Sequence, residues 1–172
     1  MTDQYQIQTT ETKDLEFIFT LFDQSISYQQ KNGYPDWKNY DRNAIISDME
    51  NKNQYKIIVD SVRGIVFSVA YTDKLIWRER DKGDAIYLHR IVVNPACKGR
   101  KLFGVIADWA VNHVKQSGLS FIRMDTWAAN ENIIRYYESF GFIIIENYTT
   151  PDTQELPVHN RNLAMTLLEY RV

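Results

Sequence analysis

Residues 88–103 constrain the fold of this chain most, because their pattern changes from strand to helix across a short basic loop. The run from 91 to 93 is apolar and β-branched, which is typical of a buried strand. Pro95 then ends the strand, because proline donates no backbone hydrogen bond. From Leu102 the apolar residues recur at helical spacing until Gly118 closes the pattern, which predicts a helix.

A helix that begins on a basic, glycine-containing turn directly after a strand is a natural site for an anion. The first backbone amides of a helix have no partner within it, and the helix dipole places about half a positive charge there. The turn adds further positive charge and a glycine through Lys98, Gly99, Arg100 and Lys101. The pattern predicts either a phosphate or pyrophosphate site, or a basic turn that only caps the helix.

The length and composition of the chain favour one domain, residues 1–172. The hydrophobic fraction is 44%, which is enough to form a core. The net charge of −2 provides no general attraction to nucleic acid. The sequence has neither a bilayer-length apolar run nor the pattern of a signal peptide. We therefore expect a cytoplasmic protein that binds neither nucleic acid nor membrane.

Cysteine and histidine usage predicts no metal site. Cys97 is the single cysteine, and His89, His113 and His159 are too far apart in the sequence to form a ligand motif. No histidine–acid pair accompanies Cys97, so we do not expect it to act as a nucleophile.

Hydrophobic periodicity along the chain predicts an α/β domain with a mixed sheet, in the order β-α-α-β-β-β-α-β-α-β-β. Helices are expected to begin near Thr12, Asp41, Leu102 and Asn130. Strands are expected over residues 5–10, 55–59, 64–71, 86–93, 120–126, 142–145 and 163–170. The apolar run 142–145 has the pattern of a buried strand. The charged segment 73–84 is expected to be a surface loop, with Trp77 packed on the body or against a second subunit.

The segment between the first two predicted helices, residues 34–40, is rich in aromatic residues, including Tyr34 and Trp37. Such a loop either plugs the core or forms a lid over a substrate, because binding residues concentrate on loops held by rigid elements.

Two stretches together resemble the GNAT superfamily of acetyl-CoA-dependent N-acetyltransferases. Residues 91–103 are similar to the strand and pyrophosphate loop of that family. Residues 130–142 are similar to its pattern of an asparagine, a tyrosine seven residues on and a Gly-Phe ending, here Asn130, Tyr137 and Gly141-Phe142. The resemblance implies a mixed, mostly antiparallel central sheet flanked by helices.

The resemblance has three departures. Gly99 holds the first glycine position of the loop, but Ala96 stands where the family has glutamine or arginine, and Lys101 where it has a second small residue. Ala85 occupies the position of a glutamate that often serves as the general base. The irregular loop keeps open the alternative of a domain that senses acyl-CoA without turnover.

The resemblance implies that acetyl-CoA is the cosubstrate. The backbone of the central strand would pair with its pantetheine arm and offer an amide to the oxyanion of the transition state. Asn130 would cap its helix and contact the cofactor arm, and Arg135 would either reach a phosphate or remain solvated. The implied cofactor-binding residues are Ile91, Val92, Val93, Lys98, Gly99, Arg100, Lys101, Leu102, Phe103, Gly104, Asn130 and Arg135.

Tyr137 is the catalytic residue that the resemblance implies. A phenol titrates at about 10, above a thiol at about 8.5, so it is protonated at neutral pH and can return a proton to departing coenzyme A. Core packing is the alternative for Tyr137, and its neighbour Tyr136 is a candidate for the core.

The base that deprotonates the acceptor is left open between His89 and a chain of water molecules. Asp125 would hold the acceptor ammonium, or Arg123 and Asp125 would form an ion pair with Arg90 across neighbouring strands. The predicted substrate-binding residues are Tyr34, Trp37, His89, Asp125 and Trp127.

The sequence therefore predicts an enzyme that acetylates a small primary amine, such as an amino acid, a polyamine or an amine antibiotic. The alternatives are an acyl-CoA sensor, an acetyltransferase acting on a protein amine, and a plain nucleotide-binding domain. A homodimer is expected from the family.

Overall fold

A computed structural model of the chain describes residues 5–34 and 40–172. These residues form a mixed sheet flanked by helices, as predicted. The strands are β1 (Tyr5–Thr9), β2 (Gln54–Val59), β3 (Val62–Ala70), β4 (Ala85–Val93), β5 (Phe121–Trp127), β6 (Ile143–Thr149) and β7 (Ala164–Arg171). The helices are α1 (Leu15–Lys31), α2 (Arg42–Glu50), α3 (Lys74–Trp77), α4 (Leu102–Gln116) and α5 (Glu131–Glu138).

The sheet has the strand order β1-β2-β3-β4-β5-β7-β6. All neighbouring strands are antiparallel except β4 and β5, which are parallel. The parallel pairing runs only from Ala85 opposite Phe121 to Tyr87 opposite Arg123. Beyond Tyr87 both strands continue without pairing to each other, so the middle of the sheet opens into a gap.

A β-bulge lies in β4 beside this gap. Val66 of β3 is opposite Val92, whereas Ser68 is opposite His89, so one residue of β3 faces two of β4. Arg90 has φ +52°, in the left-handed region that a non-glycine residue adopts at a cost of about 1–2 kcal/mol. A bulge bends its strand and re-aims the neighbouring side chains.

The core lies on both faces of the sheet. On one face, α4 buries the stripe that its periodicity predicts, Leu102, Phe103, Ile106, Ala110 and Val114. On the other face, α1 and α2 cover β3 and β4 through a cluster that includes Ile18, Phe22, Ile45, Val66 and Val92. The two helix layers therefore hold the sheet, and with it the gap, from opposite sides.

The structure bears on two sequence predictions about exposure. The segment 73–84, expected to be a surface loop, contains the short helix α3, and Trp77 packs on the body of the domain against Tyr87 and Leu156, which is one of its two predicted alternatives. The run 142–145, expected to be a buried strand, begins the edge strand β6, where Ile143 is 60% exposed. The reason is that β7 takes the place between β5 and β6.

Within residues 5–34 and 40–172, none of the helices has the length and apolar character required to cross a lipid bilayer.

Candidate active site

The gap between β4 and β5 joins two cavities on the part of the chain that the structure describes. The loop cavity, of about 590 Å³, lies between α1, the end of β4, the basic loop and α5. The inner cavity, of about 230 Å³, lies between α2, the middle of β4, β5 and β7. The residues that line both cavities are Ile91, Thr126, Trp127 and Tyr137. A molecule in one cavity can therefore meet a molecule in the other at these residues.

Most of the predicted cofactor residues line the loop cavity. They are Ile91, Val92, Val93, Lys98, Gly99, Lys101, Leu102, Phe103 and Asn130. The Lys98 ammonium lies 4.7 Å from the ring centre of Tyr28, so the basic loop faces α1 across this cavity. The wall of the loop cavity thus combines basic side chains with apolar ones.

The backbone of the basic loop turns sharply before α4. Gly99 has φ +86°, and Lys101 has φ +51° and ψ +37°, which is the left-handed helical region. Lys101 precedes the first residue of α4 and makes no capping hydrogen bond through its side chain. The amide of Gly104 donates to the Lys101 carbonyl at 3.0 Å, so the amides of Leu102 and Phe103 are the ones that can face water or a ligand. Glycine adopts this conformation with least strain, which is a physical reason for a small residue at position 101.

Three predicted cofactor residues lie outside the set that lines the loop cavity. Arg100 forms an ion pair with Asp60 in the turn between β2 and β3. A Cβ atom on Gly104 would lie 3.1 Å from Phe140, so this glycine allows α4 to approach the end of α5. Arg135 is on the exposed face of α5, with its guanidinium 2.7 Å from the Glu131 carboxylate.

Asn130 and Tyr137 lie at the start and near the end of α5. The Asn130 side chain accepts a hydrogen bond from the amide of Ile133 at 3.3 Å, so it caps the helix while lining the loop cavity. Tyr137 is 8% exposed and its ring centre lies 4.7 Å from that of Phe103. Burial, and then the nearby Tyr136 and Asp125, raise the pKa of Tyr137 well above its usual range. Its hydroxyl therefore keeps its proton at neutral pH.

The inner cavity has apolar walls and a few charged groups. Its apolar lining includes Phe22, Ile45, Leu88, Met124 and Met165. Of the predicted substrate-binding residues, His89, Asp125 and Trp127 line it, whereas Tyr34 lines the loop cavity. Trp37 lies outside the described residues.

A cluster that we call the carboxylate–histidine cluster, Asp73, His89 and Asp125, stands at the inner cavity. Asp73 precedes α3, His89 is on β4 and Asp125 is on β5. Their ligand atoms all lie within 4.8 Å of one another. The Nε2 atom of His89 is 3.3 Å from Asp73 Oδ2. Sequence reasoning missed Asp73, because nothing in the segment 73–84 relates it to the distant His89 and Asp125.

Burial and charge oppose each other in this cluster. Burial raises the pKa of Asp125 to about 6, against the lowering effect of His89. Burial lowers the pKa of His89, but the Asp73 and Asp125 carboxylates outweigh it, so the pKa lies above its ordinary value. The charge of each group in the cluster therefore depends on the other two.

The predicted alternative of an ion pair between Arg90 and the β5 residues is wrong. Arg123 is buried and pairs with Glu169 at 2.7 Å and with Asp84 at 2.8 Å. Arg90 pairs instead with Asp48 of α2 at 2.6 Å. Arg123 thus belongs to the packing of the sheet, and Asp125 is left to the inner cavity.

The fold and the paired cavities are those expected of an acetyl-CoA-dependent transferase. Residues 18–142 match the sequence profile of the acetyltransferase (GNAT) family, which is more than half of the chain. The chain belongs to this family, and the resemblance in its sequence is confirmed. Acetyl-CoA is the cosubstrate of the family. No curated protein is similar enough in sequence to match this chain.

Solved structures share the fold over nearly the whole chain. A GNAT-family acetyltransferase from Listeria monocytogenes has a TM-score of 0.75 at 18% identity, covering 98% of this chain and 95% of that one. YncA from Salmonella typhimurium, solved with its cofactor acetyl-CoA, has a TM-score of 0.67 at 15% identity, covering 97% and 93%. A ribosomal-protein-alanine N-acetyltransferase from Brucella melitensis has a TM-score of 0.70 at 12% identity, covering 97% and 99%.

Proposed function

We propose that this protein, as a single catalytic domain, transfers an acetyl group from acetyl-CoA directly to a primary amine of a small molecule. The observation that supports this proposal most is the meeting of the two cavities at Tyr137. A direct transfer requires the thioester and the amine to be in contact, and a proton donor beside them.

The loop cavity suits acetyl-CoA. Lys98, Lys101 and the first amides of α4 would bind phosphate groups, because all of them present positive charge or unpaired donors. The edge of β4 that turns away from β5 beyond Tyr87 offers backbone groups to an amide-containing arm. Acetyl-CoA bound there supplies an activated thioester carbonyl close to the junction of the cavities.

The protein's own groups would then complete the transfer. The amine nitrogen attacks the carbonyl carbon, a C–N bond forms and the C–S bond breaks. A backbone amide of β4 between Ile91 and Val93 stabilises the oxyanion. Tyr137 donates its proton to the departing sulfur, and His89 or a water chain takes the proton that the amine loses.

The inner cavity, at about 230 Å³, favours a small acceptor. His89 and Asp125 would contact its amine, and Trp127, which lines both cavities, would lie beside the acceptor and the cofactor. A protein amine is the second candidate acceptor, since the relative from Brucella melitensis is a ribosomal-protein-alanine N-acetyltransferase.

The family suggests a homodimer, which sedimentation at high micromolar concentration would test. The proposed location is the cytoplasm, as expected in the sequence analysis.

The test is a thiol-release assay with acetyl-CoA and a panel of amino acids, polyamines, aminoglycosides and simple amines. We expect release with at least one acceptor, and a loss of about tenfold or more in Tyr137→Phe, because the proton donor is removed. Tyr136→Phe is the matched control and should retain activity. Thermal stabilisation by acetyl-CoA without any release would support the sensor instead. If the assay showed no thiol release and acetyl-CoA did not raise the thermal stability, the cofactor assignment would be contradicted.

A further inference from the structure

The carboxylate–histidine cluster brings two acidic side chains to one histidine in the wall of the inner cavity. We propose that Asp73, His89 and Asp125 form an ammonium-binding site, and that the acceptor is a primary amine on an apolar body with no carboxylate beside its nitrogen. This inference rests on the proposed acetyltransferase activity and names its substrate class.

The carboxylate oxygens of the cluster have unused hydrogen-bonding capacity. Within the described residues, no group donates a hydrogen bond to the buried Oδ1 of Asp125 or to the buried Oδ2 of Asp73. Among the groups that the structure describes, the contact of this Asp73 oxygen is the ion pair with His89 at 3.3 Å. A buried carboxylate without a donor is unfavourable, and an ammonium group supplies three donors and the opposite charge. The cluster is therefore complementary to a protonated amine.

The charges around the inner cavity disfavour an acceptor with a carboxylate. Arg90 is the one arginine or lysine among the described lining residues, and its guanidinium lies 2.6 Å from the Asp48 carboxylate. The Asp41 carboxylate, which also lines the cavity, accepts hydrogen bonds from the first amides of α2. An α-amino acid would thus bring its own carboxylate close to Asp125 without an arginine or lysine to pair with it. Like charges in a partly buried site repel strongly.

The apolar residues that line the rest of the inner cavity favour an acceptor whose amine is attached to an apolar group. Leu88, Met124 and Met165 present apolar surface to the same cavity as Asp125. An alkyl or aryl group that leaves water for this surface gains about 25 cal/mol per Å². A polyamine would place a second ammonium group against these side chains and lose its hydration there. The cavity therefore favours an apolar monoamine over a polyamine.

Besides offering its carboxylate to the ammonium, Asp73 positions His89 and sets its charge. His89 faces Asp73, Asp125 and the Arg90 side chain, and its ring stacks on that of Tyr87. Tyr137 and Tyr148 are further titratable groups near Asp125. A protonated His89 would repel the ammonium, so binding and proton transfer require the neutral imidazole. Because the Asp73 carboxylate favours the protonated form, removing its charge lowers the pH at which His89 becomes neutral.

Paired acceptors test the substrate class. Phenethylamine and phenylalanine differ by one carboxylate, and putrescine provides a second ammonium. At saturating acetyl-CoA we expect kcat/KM for phenethylamine to exceed that for the other two by about tenfold or more. In Asp125→Asn, the KM for phenethylamine should rise by about tenfold, with the KM for acetyl-CoA unchanged. Asp108→Asn, an exposed carboxylate on α4 outside both cavities, is the matched control.

Two readouts separate positioning from folding. In Asp73→Asn the acid limb of the pH profile of kcat/KM should move to lower pH, which a purely structural defect would not cause. Phenethylamine should raise the thermal midpoint of the wild type, but not that of Asp125→Asn.

The failures of the two proposals are distinguishable. Preference for phenylalanine or putrescine would overturn this inference and leave the acetyltransferase proposal standing. No thiol release with any amine would overturn both. Tight binding of Zn²⁺ that is lost in Asp125→Asn, together with loss of activity on chelation, would make the cluster a metal site and overturn the ammonium assignment.

Discussion

At the scale of single residues, the buried carboxylate of Asp125 lowers the stability of the folded protein at neutral pH, although it is the group proposed to bind the acceptor. Its pKa of about 6 in the folded protein lies above the ordinary 3.8, because the carboxylate is buried with no donor among the described residues. The folded state therefore binds more protons than the unfolded chain between pH 4 and pH 6. The stability that the protonated form provides is present below about pH 4 and is lost as the pH rises through about 6.

We expect Asp125→Asn to stabilise the protein at pH 7 by about 1 to 3 kcal/mol, since a rise of two pKa units corresponds to about 3 kcal/mol. Asparagine has nearly the shape of the protonated carboxyl group, so the gain should vanish near pH 4. Urea unfolding at pH 4 and at pH 7 measures both values. An equal gain in the free energy of unfolding at the two pH values, or a loss of stability at pH 7, would contradict the conclusion that the Asp125 carboxylate is buried without a donor.

Whether a candidate residue could be predicted depends on whether the sequence pattern that marks it lies within one segment. The helix cap at Asn130 and the place of Tyr137 on the buried face of α5 could be predicted, because the cap, the apolar face and the terminal glycine lie within a single short segment. Their roles toward the cofactor come from the family resemblance and stay predictions. Asp73 could not be predicted, because its meaning arises from contact with residues on two other elements. The left-handed backbone at Lys101 was equally hidden, since lysine gives no sequence signal for a positive φ.

At the scale of elements, the approach of α4 to β3 positions the basic loop. A Cβ atom on Gly64 of β3 would lie 2.8 Å from Cδ1 of Leu102 and 3.2 Å from Cγ2 of Val59. Both neighbours are buried, so neither can move away freely. The glycine therefore fixes how close the first turn of α4 comes to the sheet.

We expect Gly64→Ala to destabilise the protein by about 1–3 kcal/mol and to raise the KM for acetyl-CoA, because overpacking displaces the start of α4. Denaturant unfolding and steady-state kinetics measure the two effects. Adding Leu102→Val, which shortens the side chain and removes the Cδ1 methyl group in closest contact, should restore part of both. Unchanged stability in Gly64→Ala would show that the contact is not tight.

The helices and strands were largely predictable, because periodicity reports which face of an element is buried. Two elements, α3 and β6, differ from the prediction for physical reasons. The helix α3 is short and charged, and Trp77 alone carries the signal that it packs inward. The edge strand β6 has the composition of a buried strand, because composition does not reveal that β7 inserts beside β5.

At the scale of the whole molecule, the candidate site exists because the sheet is divided. The strands β1 to β4 form one side and β5 to β7 the other, and in the described part of the chain the two sides pair directly through Ala85, Ile86 and Tyr87 of β4. Neither cavity belongs to one local segment, so the inner cavity and its charges could not be read from the sequence. Periodicity predicts the strands, but the place where two of them part depends on the bulge at Arg90 and on the layers around them.

This division predicts where acetyl-CoA should rigidify the protein. If its arm lies along the open edge of β4, the backbone amides of residues 91–93 should exchange with solvent more slowly when it is bound. Pairs within the sheet, such as β1 with β2, are already hydrogen-bonded and provide an internal control. At a concentration of about 100 times Kd, the global stabilisation should be about 2.7 kcal/mol. Hydrogen exchange with and without acetyl-CoA measures both quantities. Protection confined to the basic loop, or equal protection by ATP, would mean that the gap does not hold the arm and that the site recognises only phosphate.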